Sequence, residues 1–197
     1  MAEADAFTSL HIDRRRALWE AKALTAEVAP LFAAVSAFGP EEDPHLPEMP
    51  LAEHVAHDYA HLRLSLKAHP MAFLRARAQG RGAVDSAALA AAANGKRLTV
   101  AGLVLVRQRP GSAKGVIFMT LEDEAGATNV IIWPDTFERF RKVVLGAKAV
   151  LVSGKLQKQG AVIHLIADHL ADITDWLGVL TGGGGWDGDA AMARADE

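Results

Sequence analysis

From Asp13 onward the apolar positions Ala17, Ala21, Leu24 and Val28 recur at steps of four, three and four, the period that lines one face of a helix. Asp13 is placed to cap the start and Pro30 stands near the end, so the spacing predicts a helix of about four turns. Residues 39–50, GPEEDPHLPEMP, hold four prolines and four acids. Such a run suits neither a helix interior nor a central strand and reads as an extended linker. Helical spacing resumes with Leu51, Val55, Tyr59, Leu62 and Leu66 and stops before His69-Pro70. Phe73 to Arg77 adds a turn of helix, and the alanine-rich run QGRGAVDSAALAAAANGK reads as a connector with a short helix in it.

The pattern changes at Lys96, where β-branched and aliphatic residues alternate with others in short runs separated by glycines. Strands are expected near 97–109, 114–123, 127–133, 147–157 and 161–173, with one helix between the third and fourth: Pro134 in its first turn, then Phe137, Phe140 and Val144. That order of elements is the order of an OB barrel, in which the second and third strands and the one–two and four–five loops form the ligand surface. The fold class is therefore mainly β with a helical N-terminal part, a five-stranded OB-fold barrel preceded by helices. Gly102 falls where the first strand must bend, and Gln159-Gly160 makes the last tight turn. The expected divisions are a helical segment over 1–38, linker and helices over 39–95, the barrel over 96–175, and a glycine-rich, disordered tail over 176–197.

Composition narrows the classes. No apolar run approaches the roughly 20 residues of a membrane-spanning helix, and the start MAEADAFTSLHIDRRR lacks the apolar core of a secretory signal, so a cytoplasmic address is expected. With no cysteine among 197 residues, disulfide frameworks and thiolate zinc sites are excluded. The net charge of −3 is unevenly spread: −3 over 1–95 (9 basic, 12 acidic), +3 over 96–175 (11 basic, 8 acidic) and −3 over 176–197 (1 basic, 4 acidic). The barrel is the cationic segment, a modest bias toward a polyanionic partner.

The central motif is Phe118-x-x-Leu121-x-Asp123-x-x-Gly126-x-x-Asn129. Strand alternation places Val116, Phe118 and Thr120 on one face and Ile117, Met119 and Leu121 on the other. If the second set fills the barrel, Phe118 is a base-stacking platform; if the first does, it is a core aromatic. Asn129 shares its parity with Ile131 and Trp133, and its amide can read a base edge or cap the turn. At Trp133, beside Pro134, a structural role is favoured. The segment 107–115 carries Arg107, Arg109 and Lys114 with no acid, a loop suited to phosphate, and Lys155 and Lys158 flank the opposite loop. Together these cations line a groove of the kind that tracks a single strand.

Other chemistry finds little footing. His54, His57 and His61 fall within an arc of about 60° on the second helix, but no matching fourth ligand or HExxH pattern accompanies them, and a solvated face is the commoner outcome. Glu122, Asp123 and Glu124 are consecutive, so strand alternation splits them between faces rather than converging them on metal ions; they end the strand and set the turn. No phosphate-binding glycine loop, dinucleotide fingerprint or nucleophile elbow is present.

The run RLTVAGLVLVRQRPGSAKGVIFMTLEDEAGATNVIIWPDTFERFRKVVLGAKAVLVSGKLQKQGAVIHLIADHLADIT closely resembles the C-terminal OB domain of the bacterial error-prone DNA polymerases, the damage-inducible C-family alpha subunits. DAFTSLHIDRRRALWEAKAL resembles the end of that family's helix-hairpin-helix region, and PLAEHVAHDYAHLRLSLKAHPMAFLR its link to the OB domain. The resemblance covers about residues 4–175. It implies a role in translesion synthesis and mutagenic repair beside an inactive Y-family-like partner and the sliding clamp. The family's palm, PHP and fingers domains have no counterpart in these residues, so polymerisation by this chain alone is not expected, and no cofactor is called for. The three histidines and the glycine-rich ending depart from the family pattern. The central motif is also similar to the anticodon-binding OB domains of class II aminoacyl-tRNA synthetases, which implies base contacts at Phe118 and Asn129, assisted by Arg107. The leading reading is a single-stranded DNA-binding region. The alternatives are a protein-docking module, a metal enzyme built on the histidine helix, and an inactive remnant.

Overall fold

The computed structural model describes residues 1–25, 45–160 and 162–182. Two 3-10 turns, Ala2–Ala4 and Thr8–Leu10, lead into α1 (Arg14–Thr25), where Asp13 Oδ2 accepts from the Arg15 N–H at 3.0 Å and caps the helix as expected. Val28, Pro30 and the linker up to residue 44 lie outside the described residues. α2 (Leu51–Leu62) stops a turn before Leu66, because Arg63 takes a left-handed φ of 67°. Beyond it, Ser65 Oγ and Lys67 Nζ donate to Asp58 Oδ2 at 2.7 and 3.3 Å, and Arg14 grips the other carboxylate oxygen. Three donors on one carboxylate draw the chain back over the helix, leaving Leu66 96% exposed. α3 (Pro70–Gln79) is longer than the single turn expected: Pro70 fits the first helical turn, and His69 Nδ1 caps it by accepting from the Met71 N–H at 3.1 Å. The connector supplies β1 (Ala83–Val84), a short strand its sequence does not announce, and α4 (Ser86–Ala91), capped by Asp85.

The barrel follows as β2 (Arg97–Gln108), β3 (Ile117–Asp123), β4 (Gly126–Ile132), α5 (Pro134–Gly146), β5 (Ala149–Gln159) and β6 (Val162–Asp172). The sheet order is β1-β2-β3-β4-β6-β5, and β5 pairs back onto β2, so β2 to β6 close a five-stranded barrel. β4 and β6 run parallel, as do β1 and β2, and the other ladders are antiparallel. Inside lie Val104, Met119, Leu121, Val130, Leu156 and Leu165, with Phe137 and Val144 of α5 in the same core. Gly102, expected at a bend of the first strand, sits where a Cβ would come within 2.8 Å of the Glu122 carbonyl. At Gly154, beside a register shift, a Cβ would collide with the Ile166 carbonyl. Gly160 turns β5 into β6 with φ 60°.

A second core packs on the outside of the barrel. Met71, Leu74 and Ala78 of α3 meet Ala101 and Leu103 of β2, Ala149 of β5, and Trp176, Leu177 and Leu180. β2 is thus buried on both faces over 100–104, which is why it reads as a continuous apolar run rather than an alternation. The 3-10 helix Thr174–Thr181 corrects the expected tail boundary at 176. Trp176, Leu177 and Leu180 anchor it by burying their side chains against the second core, at about 1.5–3 kcal/mol each. The glycine-rich segment from 183 lies outside the described residues. Among the described residues no helix is long and apolar enough to cross a membrane.

Candidate nucleic-acid interface

β3 alternates cleanly: Ile117, Met119, Leu121 and Asp123 are buried, while Phe118, Thr120 and Glu122 face out. Phe118 is 37% exposed, so of the two sequence readings the outward one holds. The ladders extend its row: Phe118 lies opposite Ile131 of β4, Ile131 beside Ile166 of β6, Ile166 opposite Lys155 of β5, and Lys155 opposite Arg97. The next row is Thr120, Asn129, His164 and Gln157. Thr120 Oγ1 donates to Asn129 Oδ1 at 3.3 Å, which orients an exposed amide on the face. Trp133, given a structural role by its sequence position, is 53% exposed just past Ile131. Outward apolar surface beside polar edges offers stacking and edge contacts together.

Two expected cations are elsewhere. β2 carries a bulge between Val104 and Val106, and the extra residue inverts the alternation, so Arg107 pairs with inward-facing Met119 instead of standing in the groove. Its Nε donates to the Val144 carbonyl at 2.7 Å and its Nη2 to the Ala147 carbonyl, satisfying the C-terminal end of α5. Lys158 shares the inward parity of Leu156; its Nζ donates to the Ala90 carbonyl at 2.7 Å and its N–H to Asn94 Oδ1 at 2.9 Å. It tethers α4. Arg109, Lys114 and Lys155 remain exposed. The loop after β2 is shaped by the 3-10 turn Gly111–Ala113 and by Lys114, held at φ 49°.

The carboxylates set the turn, as expected. Asp123 Oδ1 accepts from the N–H groups of Ala125 and Gly126 at 2.9 and 3.0 Å and from the Ser86 hydroxyl at 2.7 Å, while Oδ2 accepts from the Ser86 N–H and from Arg75. Burial pushes the Asp123 carboxyl up, but those hydrogen bonds and the Arg75 charge win and hold it below its ordinary value. Glu124 pairs with Arg75 and is likewise lowered, against a burial effect that raises it. The histidines of α2 go separate ways: His54 Nε2 lies 3.4 Å from Asp13, His61 Nε2 3.3 Å from Glu3, and the rings of His57 and His61 stack at 5.9 Å. Among the described residues no three His, Cys, Asp or Glu side chains gather as metal ligands. His164, Gln157 and Ile166 escaped the sequence reading, because only the parallel β4–β6 ladder sets His164 beside Asn129 and Ile166 beside Ile131, and the β5–β6 ladder sets Gln157 beside His164.

The closed barrel with its helix between the third and fourth strands defines an OB fold, and residues 98–173 match a family described as an OB-fold nucleic acid binding domain. The chain as a whole is homologous to a stretch of the error-prone DNA polymerases. It is 53% identical over 186 residues to error-prone DNA polymerase 1 of Rhizobium meliloti (strain 1021), covering 91% of this chain and 17% of that protein. With the error-prone DNA polymerase of Mesorhizobium japonicum it shares 50% identity over 206 residues, 100% of this chain and 18% of the relative. The chain thus spans under a fifth of the length of these relatives. Among solved structures, asparaginyl-tRNA synthetase from Pyrococcus horikoshii is 22% identical with a TM-score of 0.38, over 46% of this chain and 23% of that one.

Proposed function

We propose that the barrel holds single-stranded DNA across its outer face as part of an error-prone DNA polymerase system, positioning template in damage-induced translesion synthesis without itself joining nucleotides. The observation that carries this reading is Phe118, exposed in a row with Ile131 and Ile166 that ends at Lys155, with exposed Lys114 in the loop leading into β3. An aromatic face accepts any base, at about 1–3 kcal/mol per stacked base, and the two cations follow the phosphates. The polymerase setting rests on relatives about 50% identical along nearly the whole chain. In that setting the accompanying proteins are the Y-family-like partner and the sliding clamp, and the compartment is the bacterial cytoplasm.

The test is fluorescence anisotropy of a labelled single-stranded oligonucleotide at two salt concentrations. Wild-type affinity is expected to fall with salt, Phe118→Ala to weaken binding at both concentrations, and Lys114→Ala to weaken it chiefly at the lower one. Failure of the folded wild type to bind at low salt overturns the reading.

A further inference from the structure

Between the end of β2 and α5 lies a cleft of about 240 Å³, walled by Arg107, Arg109 and Arg141 over a floor that includes Ile117, Phe137 and Leu145. The guanidinium carbons of Arg109 and Arg141 each lie 5.4 Å from the centre of the Phe137 ring. Phe137 is 3% exposed, so the ring is a fixed seat, and the charge–quadrupole attraction holds both arginines to it. Arg107 is fixed from behind by the carbonyls of Val144 and Ala147.

Three like charges at one small cleft repel unless an anion joins them. Among the described residues no carboxylate lines the cleft; the nearest pairing is Glu138 with Arg141 at 3.7 Å, both well exposed and therefore weakly coupled. The volume is below the roughly 300–1,000 Å³ of pockets for drug-sized ligands, which suits a phosphate and its sugar rather than a whole nucleoside triphosphate. Gln108 also lines the cleft and is the ladder partner of Phe118, so the cleft adjoins the stacking row directly.

We infer that this cleft is a phosphate site, built by Arg109 and Arg141 on Phe137, that takes a phosphate of the bound strand where it leaves Phe118 and rounds the loop. This rests on the single-strand reading above and adds α5 to the binding surface, an element to which the sequence reading gave no part in binding.

The experiment measures the salt dependence of single-strand binding by the full 197-residue chain and by Arg141→Ala, Arg141→Lys and Phe118→Ala, with thermal melts confirming folding. Losing one phosphate contact lowers the slope of log affinity against log salt by about 0.7 for a single strand. Arg141→Ala is expected to show that loss equally on oligothymidine and mixed sequences, and Arg141→Lys to restore the slope. If Arg141→Ala keeps the wild-type slope and affinity while Phe118→Ala weakens binding, the sheet reading stands and the phosphate site is overturned. If the wild type does not bind, both fall. Oligonucleotides with and without a 5′-phosphate separate the sources: a gain on phosphorylation that Arg141→Ala abolishes assigns the cleft to a strand end, and an equal loss on both assigns it to an internal phosphodiester.

Discussion

Arg107 donates its Nε–H to the carbonyl of Val144 at 2.7 Å, joining the end of β2 to the last turn of α5. A half-buried guanidinium on two helix carbonyls is a stability device, and hydrogen bonds to charged groups contribute about 1.5–3 kcal/mol. Arg107→Ala is therefore expected to lower stability by about 1–3 kcal/mol and, because its guanidinium is held by carbonyls at the back of the cleft, to lower the salt slope of single-strand binding less than Arg141→Ala does. Urea unfolding alongside anisotropy checks this; a variant with intact stability and lost binding would return Arg107 to the groove.

Phe118 makes the opposite prediction. Its ring stands on the outer face rather than in the barrel, so Phe118→Ala removes little core packing and the melting temperature should fall by no more than a few degrees. Binding should lose about 1–3 kcal/mol, the value of one base stack, and Phe118→Trp should retain it.

The contrast between these two residues shows what the sequence could convey. Clean alternation on β3 narrowed Phe118 to two faces, and burial of Met119 and Leu121 decided between them. The acid-free run 107–115 put Arg107 in the groove, but the bulge between Val104 and Val106, which no local pattern marks, turns it toward α5. Lys158 was misplaced for a related reason: its partner, the Ala90 carbonyl, is 68 residues away. The barrel itself was legible because strand runs, glycine bends and the Pro134 helix start are local signals. His164 and the Arg141 cleft were not, since each depends on a contact between distant segments: the β4–β6 ladder for one and the packing of α5 against the loop for the other.

Lys114 holds a left-handed φ of 49° without being glycine. The steric penalty for an L-residue there is about 1–2 kcal/mol, and glycine escapes it. Lys114→Gly is expected to stabilise the fold by about 1 kcal/mol in denaturant unfolding while reducing low-salt affinity, because the loop keeps its shape and loses its charge. A variant that gains stability with no loss of affinity would remove Lys114 from the interface.

Asp123 and Asp58 give the pH dependence. Burial raises both carboxyls, yet hydrogen bonds from Ser86, Ala125 and Arg75 at Asp123, and from Arg14, Ser65 and Lys67 at Asp58, bring each below the ordinary value of 3.8. A carboxyl lowered on folding contributes stability that is fully present above its unfolded value and is lost as pH falls through the folded one. This carboxylate contribution should therefore hold as pH is lowered toward 4 and decline below it, on top of an earlier loss that begins near pH 6.5, where protonation opposes burial of His57 and His69. Asp123→Asn should flatten part of that decline and lower stability at pH 7, because the amide cannot receive Ser86, Ala125, Gly126 and Arg75 as the carboxylate does. Urea unfolding from pH 7 down to pH 2.5 measures both effects, and an acid limb unchanged in Asp123→Asn would show that the turn carboxylate does not drive it.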